Sequence, residues 1–204
     1  MLLSNLPGQP LAPLHPQHDA FETEVTQWLT AMGFLCHSAT YHTMMPPAMA
    51  NLLRRRSSMT ALHLRGRADR IAIHQTLPVE FEYECKTHDS QQYQDLTIEL
   101  TALCFHLMKA RLGVKCLYIY RHNGREKGFW ADEMPTPRVV HIPARYDAAT
   151  TLQFKGMAEN YFPNVPIRLG GKTNGSGDPF VIIDYSVVAQ MANWRELVGV
   201  LMER

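Results

Sequence analysis

V-E-F-E-Y-E-C-K, Val79 to Lys86, is the stretch on which the fold turns. Strand alternation places Val79, Phe81, Tyr83 and Cys85 on one face and Glu80, Glu82, Glu84 and Lys86 on the other. Three carboxylates beside an ammonium are costly for a strand to bury, but useful where a divalent cation and a phosphate sit against them. Asp69 lies fifteen residues before Glu84, at the head of the apolar run Ile71 to Ile73. The link Gln75 to Pro78 is short enough for an antiparallel turn between strands near 69–74 and 79–86. An Asp at one strand start and a Glu-x-Lys on the next suits metal-assisted cleavage of a phosphodiester. The bland alternative is an edge strand whose acidic face simply stays wet and prevents aggregation.

Downstream, Leu96, Leu100, Leu103 and Leu107 predict a helix over Ser90 to Arg111 that Gly113 ends, followed by a buried strand over Val114 to Tyr120. Strand, helix, strand at this spacing is a right-handed crossover, so the third strand should run parallel to the Glu84 strand. Upstream, Phe21, Val25, Trp28 and Met32 predict a helix from Ala20 to Met32, capped by Asp19 and stopped by Gly33, with Phe34 to Ser38 starting the sheet. Residues 1–19 are proline-rich and read as an irregular arm, and H-T-M-M-P-P at 42–47 breaks regular structure.

Between Arg121 and Asn174 five prolines interrupt the chain, and residues 129–174 are expected to wrap the core as loops and short strands. Phe180 to Asp184 reads as a strand. Val187, Met191, Trp194, Val198 and Leu201 then form a helical stripe behind a Ser186 cap, better suited to docking on its own domain than to a dimer seam. The expected class is α/β, a mixed central sheet flanked by helices. Residues 20–125 form the core, and residues 126–204 form an extension packed on it.

The 204 residues, 46% hydrophobic, suit one substantial core. A net charge of +1 attracts no polyanion by itself, so any affinity for nucleic acid must come from local charge. Between Asn51 and Arg70 stand Arg54, Arg55, Arg56, Arg65, Arg67 and Arg70 with Asp69 as the one acid. That segment is expected to contact the phosphate backbone, salt-sensitively and without base preference. His88, two residues past Lys86, is a further candidate for a phosphate or water contact. The four cysteines show no close pairs and read as free thiols in a reducing cytoplasm. No segment looks like a secretion signal or a membrane span. Ten histidines raise zinc, but neither H-E-x-x-H nor a Cys/His pairing occurs. G-G-K-T at 170–173 lacks the upstream glycine of a Walker A loop and is rejected as one.

Asp69 followed by Glu84-Cys85-Lys86 resembles the PD-(D/E)XK nuclease signature. F-E-T-E-V-T-Q-W-L-T-A-M-G-F, from Phe21, resembles the opening helix of Mrr-like restriction endonucleases and archaeal Holliday-junction resolvases. The resemblance spans about residues 20 to 120 and implies a restriction-endonuclease-like core. It also implies a catalytic set of Glu22, Asp69, Glu84 and Lys86. A Mg²⁺ ion, with Mn²⁺ as substitute, would be held by Asp69, Glu84, the Cys85 carbonyl and Glu22. Ala68 stands where the family name has proline, and Glu82 replaces Glu84 if the register is off by two. An acid in a first helical turn is also favoured by the backbone dipole alone, which is the plain reading of Glu22. The expected activity is a metal-dependent DNA endonuclease. The alternative is an inactive nuclease-fold protein binding DNA or a protein partner, the latter through the C-terminal extension, and a homodimer is an expected possibility.

Overall fold

The computed structural model describes residues 16–39, 45–54, 64, 66–88, 95–122, 124–170 and 178–203. Helix α1 (Pro16–Ala31) begins inside the stretch expected to be an arm, and Asp19 lies in its first turn instead of capping it. Phe21, Val25 and Leu29 are fully buried along one stripe, at the four-residue spacing that keeps side chains on one helical face. Gly33 follows with a φ of 94°, which an L side chain rarely adopts, and turns the chain into β1 (Phe34–Ser38).

After α2 (Pro47–Arg54), β2 (Arg70–His74) and β3 (Glu80–His88) pair as an antiparallel hairpin with Arg70 opposite Tyr83. β4 (Leu96–Glu99) leads into α3 (Leu100–Ala110). β5 (Cys116–His122) then returns parallel to β3, with Glu82 beside Cys116, Glu84 beside Tyr118 and Lys86 beside Tyr120, as the crossover predicts. β6 (Arg125–Trp130) completes a five-stranded sheet of order β1-β2-β3-β5-β6.

The remaining strands, β7 (Val139–Ile142), β8 (Ile167–Leu169) and β9 (Phe180–Ile183), join β4 in a second sheet of order β4-β9-β7-β8. Two expectations are corrected here. Leu96 lies in a strand and not on the predicted helix, because Leu96 and Ile98 alternate with the exposed Thr97 and pair with β9. Within 129–174, α4 (Ala148–Tyr161) is a regular helix whose Asp147 carboxylate accepts the Thr150 N–H at 2.7 Å. The terminal stripe is divided between α5 (Tyr185–Val188) and α6 (Trp194–Met202), the latter capped by Asn193.

The first sheet is covered on both faces. On one, α1 and α6 bury Phe21, Val25, Trp194 and Val198 against Phe81, Tyr83, Cys85 and Ile119. On the other, α3 and the second sheet pack on Cys116, Tyr118 and Tyr120. Gly128 makes the α6 docking possible: a Cβ there would lie 2.7 Å from the Trp194 Cβ and 3.1 Å from both the Trp194 Cα and the Tyr118 carbonyl. Among the described residues no helix is long and apolar enough to cross a membrane.

Candidate active site

β3 occupies the middle of its sheet, so its acidic face is not the wet side of an edge strand. Register places Glu82, Glu84 and Lys86 on the face shared with Cys116, Tyr118 and Tyr120, under α3. Glu84 is only 7% exposed. A carboxylate so placed needs partners, because an unpaired buried charge is strongly disfavoured. It has two: Lys86 Nζ donates to Oε1 at 2.5 Å, and the Asp69 N–H donates to Oε2 at 3.0 Å.

Asp69 sits where β2 begins, one residue beyond the Arg70–Tyr83 pair and so level with Glu84. Its Oδ2 accepts the Cys85 N–H at 3.1 Å. Its Oδ1 takes no hydrogen bond from any described residue. Burial, then the neighbouring Glu84 charge, pushes the Asp69 carboxyl well above the usual carboxylate range. Burial pushes Glu84 the same way, but Lys86 and its hydrogen bonds outweigh it and hold Glu84 below its ordinary value. Burial likewise opposes the Lys86 charge, and Glu84 and Asp69 more than restore it.

Glu22 approaches from the first turns of α1. Its carboxylate pairs with Arg70 and lies 4.0 Å from His18 Nε2, one helical turn earlier. Glu22 is close enough to add to the upward shifts of Asp69 and Cys85. Glu22, Asp69 and Glu84 are nevertheless not drawn within 4.8 Å of one another, since Glu22 is turned onto Arg70. Arg70, expected on the phosphate backbone, is thus placed toward α1, because alternation puts it on the Tyr83 side of the hairpin. His18 fell within the expected arm and was not singled out. Burial, then Lys86, lowers its pKa and favours the neutral ring.

The Cys85 thiol is buried among Phe81, Tyr83 and Ile119, so only its backbone can serve the site. Glu82, the substitute considered for Glu84, pairs with Lys109 instead. Arg67 is exposed. Arg54 closes α2, and His88 closes β3; their side chains, and all of Arg55, Arg56 and Arg65, lie outside the described residues. A third grouping was missed altogether: Glu82, His106 and Cys116 converge from three elements.

The donor set at Asp69, Glu84 and the Cys85 carbonyl fits a hard divalent cation. Two acids share one buried place, one carboxylate oxygen has no described donor, and a single ammonium sits beside them. All four cysteines are free.

No protein-family model matches this sequence, and no curated protein matches it significantly. The chain is similar in structure to Hjc of Archaeoglobus fulgidus, a Holliday junction resolvase from an archaeal hyperthermophile. The likeness covers 90% of this chain and 96% of that one, with a TM-score of 0.44 and 12% identity. A likeness of that degree transfers no role to any residue. What Asp69, Glu84 and Lys86 can do follows from their own geometry.

Proposed function

We propose that this chain is a metal-dependent nuclease cutting phosphodiester bonds in DNA, with Asp69, Glu84 and Lys86 as its catalytic residues. The observation that carries this is the reciprocal clasp of Asp69 and Glu84 in the middle of a covered sheet, with Lys86 alongside. A purely structural strand gains nothing from two acids facing one another out of water.

The Asp69 and Glu84 carboxylates and the Cys85 carbonyl would hold Mg²⁺, or Mn²⁺ in its place. Bound there, the ion would activate water and neutralise charge on the phosphate oxygens. Lys86, kept fully charged by Glu84, orients the attacking water or shares the phosphate charge. Glu22 acts from the rim, its carboxylate held by Arg70 and its charge adding to the site's preference for a cation. A neutral His18 can accept a hydrogen bond from water beside Glu22. Arg54, Arg55, Arg56, Arg65 and Arg67, with His88, are assigned to the DNA backbone. Arg70 reaches DNA only by leaving Glu22.

The engagement of Glu22 by Arg70 favours, as second reading, a protein that binds DNA or a partner without cutting. Supercoiled, linear, single-stranded and branched DNA, incubated with Mg²⁺ or Mn²⁺ and then with EDTA, separates the two. Cleavage that needs the metal supports the nuclease; binding without products on any substrate supports the second reading.

A further inference from the structure

We propose that Glu82, His106 and Cys116 form a second metal site, for a borderline-soft divalent cation of the zinc class with water as fourth ligand. Parallel pairing sets Glu82 of β3 directly beside Cys116 of β5, on the same face. α3 crosses that face and brings His106 over both. One ligand atom from each lies within 4.8 Å of the other two. Donors on a tetrahedral zinc are about 3.3–3.8 Å apart, from bond lengths of about 2.0–2.3 Å, so small side-chain rotations close the set.

His106 supplies the independent sign of a ligand. The residue is fully buried, and among the described residues its Nε2 has no hydrogen-bond partner, although such atoms are almost always satisfied in folded proteins. Its Nδ1 lies 2.7 Å from the Tyr118 hydroxyl. When Nδ1 donates that bond, Nε2 presents a bare lone pair, the arrangement that orients metal-binding histidines. Lys109 holds Glu82 through Oε2 and leaves Oε1 available. A cavity of about 290 Å³ lined by Gly66, Arg67, Ile71, Glu82, Phe105 and Lys109 gives an ion and its water a route to Glu82.

The donor chemistry separates this site from the one at Asp69 and Glu84. Imidazole nitrogen and thiolate sulfur select zinc-class ions, whereas magnesium takes oxygen. Cys116 binds such a cation as its thiolate, so loading the site releases the thiol proton. An occupied site ties α3 to β3 two residues from Glu84.

The test is titration of chelator-stripped full-length protein with Co²⁺ in excess Mg²⁺, reading the near-ultraviolet sulfur-to-cobalt band. The expected result is one equivalent of Co²⁺ giving that band, displaced by Zn²⁺, lost in Cys116→Ser and unchanged in Asp69→Asn. Glu82→Gln, at a partly exposed position, should weaken Co²⁺ binding about tenfold or more. A folded parent without the band, a band that survives Cys116→Ser, or unchanged affinity in Glu82→Gln would each overturn the site.

Discussion

Asp69 and Glu84 hold each other through the backbone: the Asp69 N–H binds the Glu84 carboxylate at 3.0 Å, and the N–H following Glu84 binds the Asp69 carboxylate at 3.1 Å. Both acids are thereby aimed at one place before any ligand arrives. Such fixed orientation is what a catalytic metal site requires, and its cost is an Asp69 carboxyl whose charge is disfavoured by burial and by Glu84.

Asp69→Asn should therefore separate activity from stability. An amide oxygen can still accept the Cys85 N–H while the disfavoured charge disappears. The variant is expected to melt at or above the temperature of the parent and to lose at least about 10²-fold in cleavage rate. Parallel melting curves and single-turnover cleavage check it; a destabilised variant would contradict the electrostatic account of Asp69.

Lys86 and Glu84 should be coupled energetically. Lys86→Ala leaves the Glu84 carboxylate without its ammonium and should cost about 1–3 kcal/mol. The same change made beside Glu84→Gln should cost far less. A double-mutant cycle in urea measures the difference, and additive losses would mean that the contact contributes nothing.

Gly128→Ala tests the docking of α6. The new Cβ meets backbone atoms of Trp194 and Tyr118 that cannot rotate away. Overpacking of this kind costs about 1–3 kcal/mol, which for a chain this size lowers Tm by several degrees. An unchanged Tm would show that α6 is held elsewhere.

Glu126 should make the fold acid-sensitive. Burial opposes its charge, but hydrogen bonds from Arg121 and from Trp194 Nε1, the latter at 2.8 Å, hold its pKa below the ordinary 4.5. A folded pKa below the unfolded one contributes stability that is complete above 4.5 and is lost as pH falls through the folded value. Urea midpoints from pH 6 to 3 should fall less steeply in Glu126→Gln than in the parent.

Periodicity made much of this legible. α1, the β2–β3 hairpin and the parallel return of β5 follow from apolar spacing, and Asp69, Glu84 and Lys86 meet because a hairpin register is local. The second sheet did not show itself, since Leu96 fits both a helical stripe with Leu100 and Leu103 and a strand whose partner, β9, lies more than eighty residues away. α4 was hidden among prolines that flank it. Glu82, His106 and Cys116 share no spacing rule, because the crossover alone brings them together. Arg70 looked like part of a basic run until strand alternation turned it toward Glu22.

Cleavage of a DNA panel by the parent and by Asp69→Asn, with Mg²⁺ raised from zero and then removed by EDTA, tests the central claim most directly. Products that appear with Mg²⁺, stop with EDTA and are absent from the folded variant are the predicted result. Cleavage by Asp69→Asn at the parent's rate would contradict the site, and a parent that cuts nothing at any Mg²⁺ or Mn²⁺ concentration would contradict the function.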